Sequence, residues 1–317
     1  IMTGEATVVK NAGSHYMLSM LPDWNPFPAV LKGRIRLKSN DSTNPVAVGD
    51  HVLFETGAET PGEVTLENPA LITEILDRKN FVVRKSTNLS RQSHVIAANI
   101  DMAFAVVSLY FPEIKLPFLD RMLVTCEVYG VPVTIVMNKV DLYRNEAPEA
   151  VQNFIDIYTG AGYRVVQASA KTGEGIEELR GICDGNVCLF SGESGVGKSS
   201  LIKALDPSLD PKIGKISVAH LQGKHTTSLY EMYRLASGGA VIDTPGLRGF
   251  GLVNLEKEEI ARYFPEMLKA AENCRFTPCT HTHEPGCAVK EAVDNGEISP
   301  ERYSSYLGMI EEDKKFR

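Results

Sequence analysis

Eight residues, Gly192-Glu-Ser-Gly-Val-Gly-Lys198-Ser199, constrain this chain's architecture more than any other stretch. Their spacing is that of a glycine-rich phosphate loop. They follow an apolar run, Val187–Phe190, that reads as a buried strand, and they open a helical stretch over Ser199–Leu205. Strand, loop and helix in that order turn backbone N–H groups inward on phosphate oxygens, with the positive end of the helix dipole behind them. Gly192, Gly195 and Gly197 supply the turns, and Glu193, Ser194 and Val196 fill the positions between them. Lys198 would neutralise the outer phosphates and the Ser199 hydroxyl would hold Mg²⁺, with Ser200 continuing into the helix. A plain glycine-rich turn requires none of this context.

A second loop names the base. Asn138-Lys-Val-Asp141 follows the apolar run Val131–Met137, at the carboxyl end of an expected strand, where α/β sheets bind ligands. A carboxylate at Asp141 accepts from both N1–H and the exocyclic amine of guanine. Adenine would leave it buried and unpaired, and a site built around such a group rejects the analogue strongly. Asn138 would brace the loop while the Lys139 stem lies over the ring. Ser169-Ala170-Lys171 follows the next expected strand, Arg164–Ala168, where a backbone N–H can meet the guanine O6. Alone, four residues at a strand end mean little; two such loops after neighbouring strands fit guanine.

The hydrolytic parts are less conventional. Asp243-Thr-Pro-Gly246 ends the run Ala240–Ile242, so Asp243 would orient Mg²⁺ through water and the Gly246 N–H would sense the γ-phosphate. The next position, where many GTPases carry a water-positioning glutamine, is Leu247. The substitute candidate is His225, in Gly223-Lys-His-Thr-Thr227, whose imidazole could orient or deprotonate water. A solvated loop histidine is the competing reading. Either Thr226 or Thr227 supplies a hydroxyl to Mg²⁺, with Thr227 preferred.

The flanks differ in texture. Residues 1–93 hold short β-type runs (Ala6–Lys10, His15–Met20, Ala29–Leu37, His51–Glu55, Leu71–Leu76) separated by turn residues, the pattern of a small closed barrel such as the OB-fold. Lys32, Arg34, Arg36 and Lys38 alternate with apolar residues, so on a strand all four cations would share one face. That stripe is either a phosphate-binding surface or an edge strand protected by charge; Arg78, Lys79, Arg84 and Lys85 would extend it. Residues 94–253 alternate strands with helices, near Pro117–Tyr129, Ala147–Thr159, Ile176–Gly181 and Ser199–Leu205, the signature of a parallel α/β sheet. Residues 254–317 are expected to be helical, one helix starting at Asn254 and carrying Ile260, Phe264, Met267 and Ala271, another starting at Ser299–Pro300. Between them Cys274, Cys279, His281 and Cys287 offer the donors of a closed tetrahedral zinc site, structural because no position is left for water. His283 is a rival ligand by proximity.

Small GTPases run phosphate loop, threonine loop, DTPG, NKxD, SAK. This chain runs NKVD, SAK, phosphate loop, KHTT, DTPG, a circular permutation. With a β-rich segment before it and a Cys/His cluster after it, the chain resembles the RsgA (YjeQ, EngC) family of ribosome small-subunit-dependent GTPases over essentially its whole length. The resemblance implies three domains: an OB-fold over 1–93 contacting ribosomal RNA, a permuted GTPase over 94–253, and a zinc domain over 254–317. It implies a cytoplasmic factor acting late in small-subunit maturation, slow alone and stimulated by that subunit, with Mg²⁺ and GTP. The family carries a hydrophobic residue where Leu247 stands and a proposed catalytic histidine matching His225.

Bulk properties agree with that reading. There is no run of eighteen apolar residues and no export-type amino-terminal signal, so the three clustered cysteines read as metal ligands rather than disulfides. The net charge of −7 argues against indiscriminate nucleic-acid binding; residues 1–93, with 10 basic and 10 acidic side chains, are neutral and leave room for a local basic face. No dimerisation signal is evident, and a monomer is expected. The alternative of a different class is an RNA-binding scaffold that uses GTP as a structural ligand.

Overall fold

The computed structural model describes residues 1–33, 35, 46–84, 94–209, 230–243 and 255–315. Its amino-terminal part is a closed five-stranded barrel of β1 (Met2–Asn11), β2 (Tyr16–Ser19), β3 (Phe27–Leu31), β4 (His51–Thr56) and β5 (Ala70–Ile75). Around the barrel β1 pairs with β2, β2 with β3, β3 in parallel with β5, β5 with β4, and β4 closes on β1. Ala6, Val8, Leu18, Phe27, Phe54 and Ile72 fill the interior.

The strand expected over Ala29–Leu37 stops at Leu31. Beyond it the Ile35 N–H donates back to the Lys32 carbonyl at 2.9 Å, and Ile35 packs against the barrel core. The period-two argument therefore fails at its first cation. Lys32 is exposed and paired with Glu55 at 3.2 Å, and Arg34, Arg36 and Lys38 lie outside the described residues. Arg78 is no free surface cation either: it forks onto the fully buried Asp50, both bonds 2.7 Å long. Lys79 is bonded to Asp101.

A hairpin of β6 (Phe81–Arg84) and β7 (His94–Ala98) leads out of the barrel. The α/β part follows: β8 (Met102–Val107), α1 (Leu116–Tyr129), β9 (Val133–Met137), the single turn α2 (Val140–Tyr143), α3 (Pro148–Gly160), β10 (Arg164–Gln167), α4 (Ile176–Cys183), β11 (Val187–Ser191), α5 (Lys198–Leu205), β12 (Glu231–Arg234) and β13 (Ala240–Asp243). Strands β10, β9, β8, β11 and β13 are parallel neighbours in that order, and β12 lies antiparallel on the β13 edge. Phe104, Val136, Leu201 and Val241 pack on one side of the sheet, and Ile135, Leu123, Phe154 and Tyr158 on the other.

The two parts share a sheet. Barrel strand β1 pairs antiparallel with β12 at Lys10 and Glu231, and the Asn11 N–H donates to the Tyr230 carbonyl at 3.2 Å. At a second junction Gly49, with φ +96, passes so close to the Ala98 carbonyl that any side chain would collide with it.

The carboxyl-terminal lobe is helical. The expected helix carrying Ile260 to Ala271 is broken at Pro265 into a 3₁₀ segment, Lys257–Tyr263, and α6 (Pro265–Ala271); Asn254 lies outside the described residues. Proline cannot continue the preceding hydrogen-bond ladder. Ile260, Phe264 and Met267 nonetheless meet in one core with residues of α7 (Ala288–Asp294) and α8 (Pro300–Lys315). The Ser299 hydroxyl caps α8 by accepting the Arg302 N–H at 3.0 Å. This lobe is pinned to α1 by Arg302, 1% exposed, which reaches Asp120 at 3.0 Å and Glu266 at 2.8 Å.

Candidate functional site

The phosphate loop leaves β11 at Ser191 and enters α5 at Lys198. Gly192 has no room for a side chain, because a Cβ there would strike the Val106 carbonyl. Gly197, at φ +93, is crowded by the base loop: a Cβ would lie 2.5 Å from Asn138 Nδ2. Phosphate loop and base loop are thus in direct contact. Val196 is buried and Lys198 half-buried, while Glu193 is partly exposed and Ser194, Gly195, Ser199 and Ser200 face solvent.

The base loop rises from β9. Asn138 is buried, donating from Nδ2 to the Val196 carbonyl at 2.8 Å, and its Oδ1 takes a long 3.4 Å contact from the Ala170 N–H. One residue thereby holds the phosphate loop and the Ser169–Lys171 loop together. Lys139 adopts a left-handed conformation, φ 63 and ψ 29, that non-glycine residues pay about 1–2 kcal/mol to enter. Its Nζ bridges to the Gly195 carbonyl at 2.6 Å and the Phe111 carbonyl at 2.8 Å. The buried Ser169 hydroxyl donates to Asp141 Oδ1 at 2.7 Å, which fixes the carboxylate's rotamer.

These groups line one open cleft of about 520 Å³, within the size range of ligand pockets. Asn138, Lys139, Asp141, Ser169, Ala170, Lys171, Gly197 and Ser200 all border it. Leu142, Lys203, Ala204 and Pro207, which the motifs do not include, complete its wall. Ala204 lies one helical turn beyond Ser200, so period alone could have found it. Asp243 ends β13 in register with Phe190 of β11, one strand over from the phosphate loop's origin. His225, Thr226, Thr227, Gly246 and Leu247 lie outside the described residues.

The second constellation is in the carboxyl-terminal lobe. One donor atom each from Cys274, Cys279, His281 and Cys287 lie within 4.8 Å of one another. His281 Nδ1 is 3.4 Å from Cys287 Sγ and 3.7 Å from Cys274 Sγ. Bond lengths of about 2.0–2.3 Å on a tetrahedron give edges of this size. Burial pushes the His281 imidazole towards its neutral, ligating form. The group can hold a metal. His283 is 83% exposed and turned to Glu284, outside the cluster. Glu284 ties the loop by accepting the Thr280 N–H at 2.9 Å, and the Lys290 N–H donates to Cys287 Sγ at 3.4 Å. Among the described residues no helix is long and apolar enough to cross a membrane.

The family described as RsgA GTPase matches residues 75–253. The Small ribosomal subunit biogenesis GTPase RsgA of Bacteroides fragilis is 46% identical over 312 residues, covering 98% of each chain. Its counterpart from Porphyromonas gingivalis is 44% identical over 316 residues, covering 99% of this chain and 98% of that one. Among solved structures, YjeQ from Thermotoga maritima superposes with a TM-score of 0.79 at 32% identity, covering 98% of both chains. YloQ, described as a circularly permuted GTPase, gives 0.76 at 25% identity, covering 100% of this chain and 96% of that one. The fold, the permuted order of the loops and these full-length likenesses agree: the chain belongs to the RsgA GTPase family.

Proposed function

We propose that this protein hydrolyses GTP as a late maturation factor of the small ribosomal subunit, docking on its rRNA with GTP bound and leaving on hydrolysis. The observation that carries the nucleotide half is the Asp141 carboxylate, aimed by Ser169 into the cleft that Gly197 and Ser200 of the phosphate loop also line. The ribosomal half rests on the relatives named for small-subunit biogenesis that match this chain end to end.

In this reading Asp141 accepts from guanine N1–H and the exocyclic amine, and the Ala170 N–H meets O6. The Lys139 stem covers the ring while its Nζ stays tethered to the phosphate loop. Backbone N–H groups over Gly192–Lys198 and the Lys198 ammonium take the phosphates. Ser199 and Thr227 would hold Mg²⁺, which would neutralise charge at the outer phosphates, and Asp243 would orient it through water. His225 orients or deprotonates the attacking water, since Leu247 cannot, and Gly246 senses the γ-phosphate. Zinc suits the Cys274, Cys279, His281 and Cys287 donor set and stabilises the lobe. The chain works as a cytoplasmic monomer of three domains (1–93, 94–253, 254–317) with a low unstimulated rate. The basic residues Lys32, Arg34, Arg36 and Lys38, which follow β3 in the sequence, are the candidates for rRNA contact.

The test is GTP turnover by the purified protein alone, with isolated small subunits, and with large subunits, run beside His225→Ala and Lys198→Ala. Stimulation confined to small subunits, lost in both variants while His225→Ala still binds GTP, is the expected result. Equal stimulation by either subunit would refute the ribosomal half, and no turnover in any arm the enzymatic half.

A further inference from the structure

The base loop is held by a residue that does not itself line the cleft. Tyr143 closes the turn α2, two residues beyond Asp141, and is only 3% exposed. Its ring packs in the core with Val140, Val151 and Phe154 and meets Tyr110 edge-on, centroids 5.8 Å apart. Its hydroxyl donates to the Asn138 backbone carbonyl at 2.5 Å. Ser108 and Leu109, which follow β8, influence its ionisation, and the Ser108 hydroxyl donates to the Tyr110 carbonyl. Tyr143 therefore links the loop after β8, through its ring contact with Tyr110, to the loop after β9, through its O–H.

The carbonyl it holds is a particular one. The Asn138–Lys139 peptide precedes the left-handed Lys139, so the direction of that C=O is set together with the unfavourable φ of 63. On its other sides the loop is fixed by the Asn138 N–H, which donates to the Val107 carbonyl at 2.8 Å, and the Val140 N–H, which donates to the Ala168 carbonyl at 3.2 Å. Neither bond engages the Asn138 carbonyl, and turning that carbonyl would displace both Lys139 and Asp141. The Tyr143 hydroxyl is the group that bonds it. Burial raises this phenol to about 12, so it stays a donor at every physiological pH.

We infer that Tyr143 is the positioning residue for guanine selectivity, bonding the Asn138 carbonyl so that Lys139 keeps its left-handed turn and Asp141 faces the base. The inference rests on the guanine reading above and adds a residue that reads no base itself. It predicts a division of effects. Tyr143 bonds the base loop through the Asn138 carbonyl, so loss of its hydroxyl should weaken base recognition and spare the chemical step.

The experiment uses the full-length protein and its Tyr143→Phe variant, which keeps the ring and removes only the hydroxyl. KM and kcat are measured for GTP and for ITP, whose base lacks the exocyclic amine. Tyr158→Phe is the control, since it also deletes a buried hydroxyl, one that donates to Asp120 at 2.8 Å away from the cleft. Expected for Tyr143→Phe is a KM for GTP raised roughly tenfold, the scale of one buried hydrogen bond and its orphaned partner. The GTP-over-ITP preference should shrink, with kcat held within about twofold; Tyr158→Phe should lower Tm and leave KM alone. If Tyr143→Phe keeps the wild-type preference, or loses kcat and Tm together like a core defect, the inference is overturned while the guanine reading stands. A wild-type chain that did not prefer GTP to ATP would overturn that reading and the inference with it.

Discussion

Asn138 donates its side-chain amide to the backbone carbonyl of Val196 at 2.8 Å, joining loops that lie 58 residues apart in the chain. In a permuted order the base loop comes first and the phosphate loop later, so this bond is made between segments that chain continuity does not hold together. Asn138→Ala leaves the buried Val196 carbonyl without its donor, a loss of about 1–3 kcal/mol. GDP affinity measured by calorimetry should fall roughly 5- to 150-fold on that scale. Unchanged affinity would mean that the two loops are positioned independently.

The junction of barrel and α/β sheet can be tested through Lys10 and Glu231, 3.8 Å apart and 39% and 34% exposed. An exposed pair of this kind contributes less than about 1 kcal/mol, so Lys10→Glu should leave Tm nearly unchanged. Its place matters more than its energy. Tyr230, whose carbonyl the barrel holds, directly follows the segment carrying His225. We expect Lys10→Glu to reduce stimulation by small subunits several-fold, and the double exchange Lys10→Glu, Glu231→Lys to restore it; a double exchange as defective as the single would argue against the junction as a route.

Arg302 gives the largest stability prediction. It is 1% exposed and bonded to Asp120 and Glu266, with its guanidinium 4.5 Å from the Phe264 ring centre. Arg302→Ala strands two buried carboxylates and should cost about 3–5 kcal/mol in urea unfolding. Replacing Arg302, Asp120 and Glu266 together by apolar residues of similar volume should cost far less, since no unpaired charge remains.

Metal removal is the fourth test. Chelation, or Cys287→Ser, should abolish a stoichiometry of about one zinc per chain read by native mass spectrometry. It should also expose the lobe beyond residue 255 to protease, because Cys287 both lines the cluster and caps α7. A metal-free chain with the same protease resistance would show that the apolar core around Phe264 and Tyr306 suffices.

What could be read in advance follows from range. Strands β8, β9, β11 and β13 are buried on both faces, so each appears as a continuous apolar run and is visible locally. The glycine-rich loop and the Cys/His spacing are local too. Alternation persists past Leu31 and predicts a longer β3, but the chain turns back where the Ile35 N–H meets the Lys32 carbonyl. Pro265 breaks the helix expected from Asn254. Nothing local announces the pairing of Lys10 with Glu231, the burial of Arg302, or the Tyr143 hydroxyl under Asn138, because each depends on a partner brought in by tertiary packing. Arg78 misled for the same reason: a surface-type residue by composition, it is spent on the buried Asp50.

The central claim is that Asp141 reads guanine in a site assembled from permuted loops. Asp141→Asn tests it most directly, with turnover measured on GTP and on XTP. An asparagine amide can donate to the xanthine C2 carbonyl, where the wild-type carboxylate would be repelled. The account predicts that the wild-type chain hydrolyses GTP and ignores XTP, and that Asp141→Asn reverses the preference by several orders of magnitude. Undiminished GTP turnover by Asp141→Asn, with no gain on XTP, would contradict it.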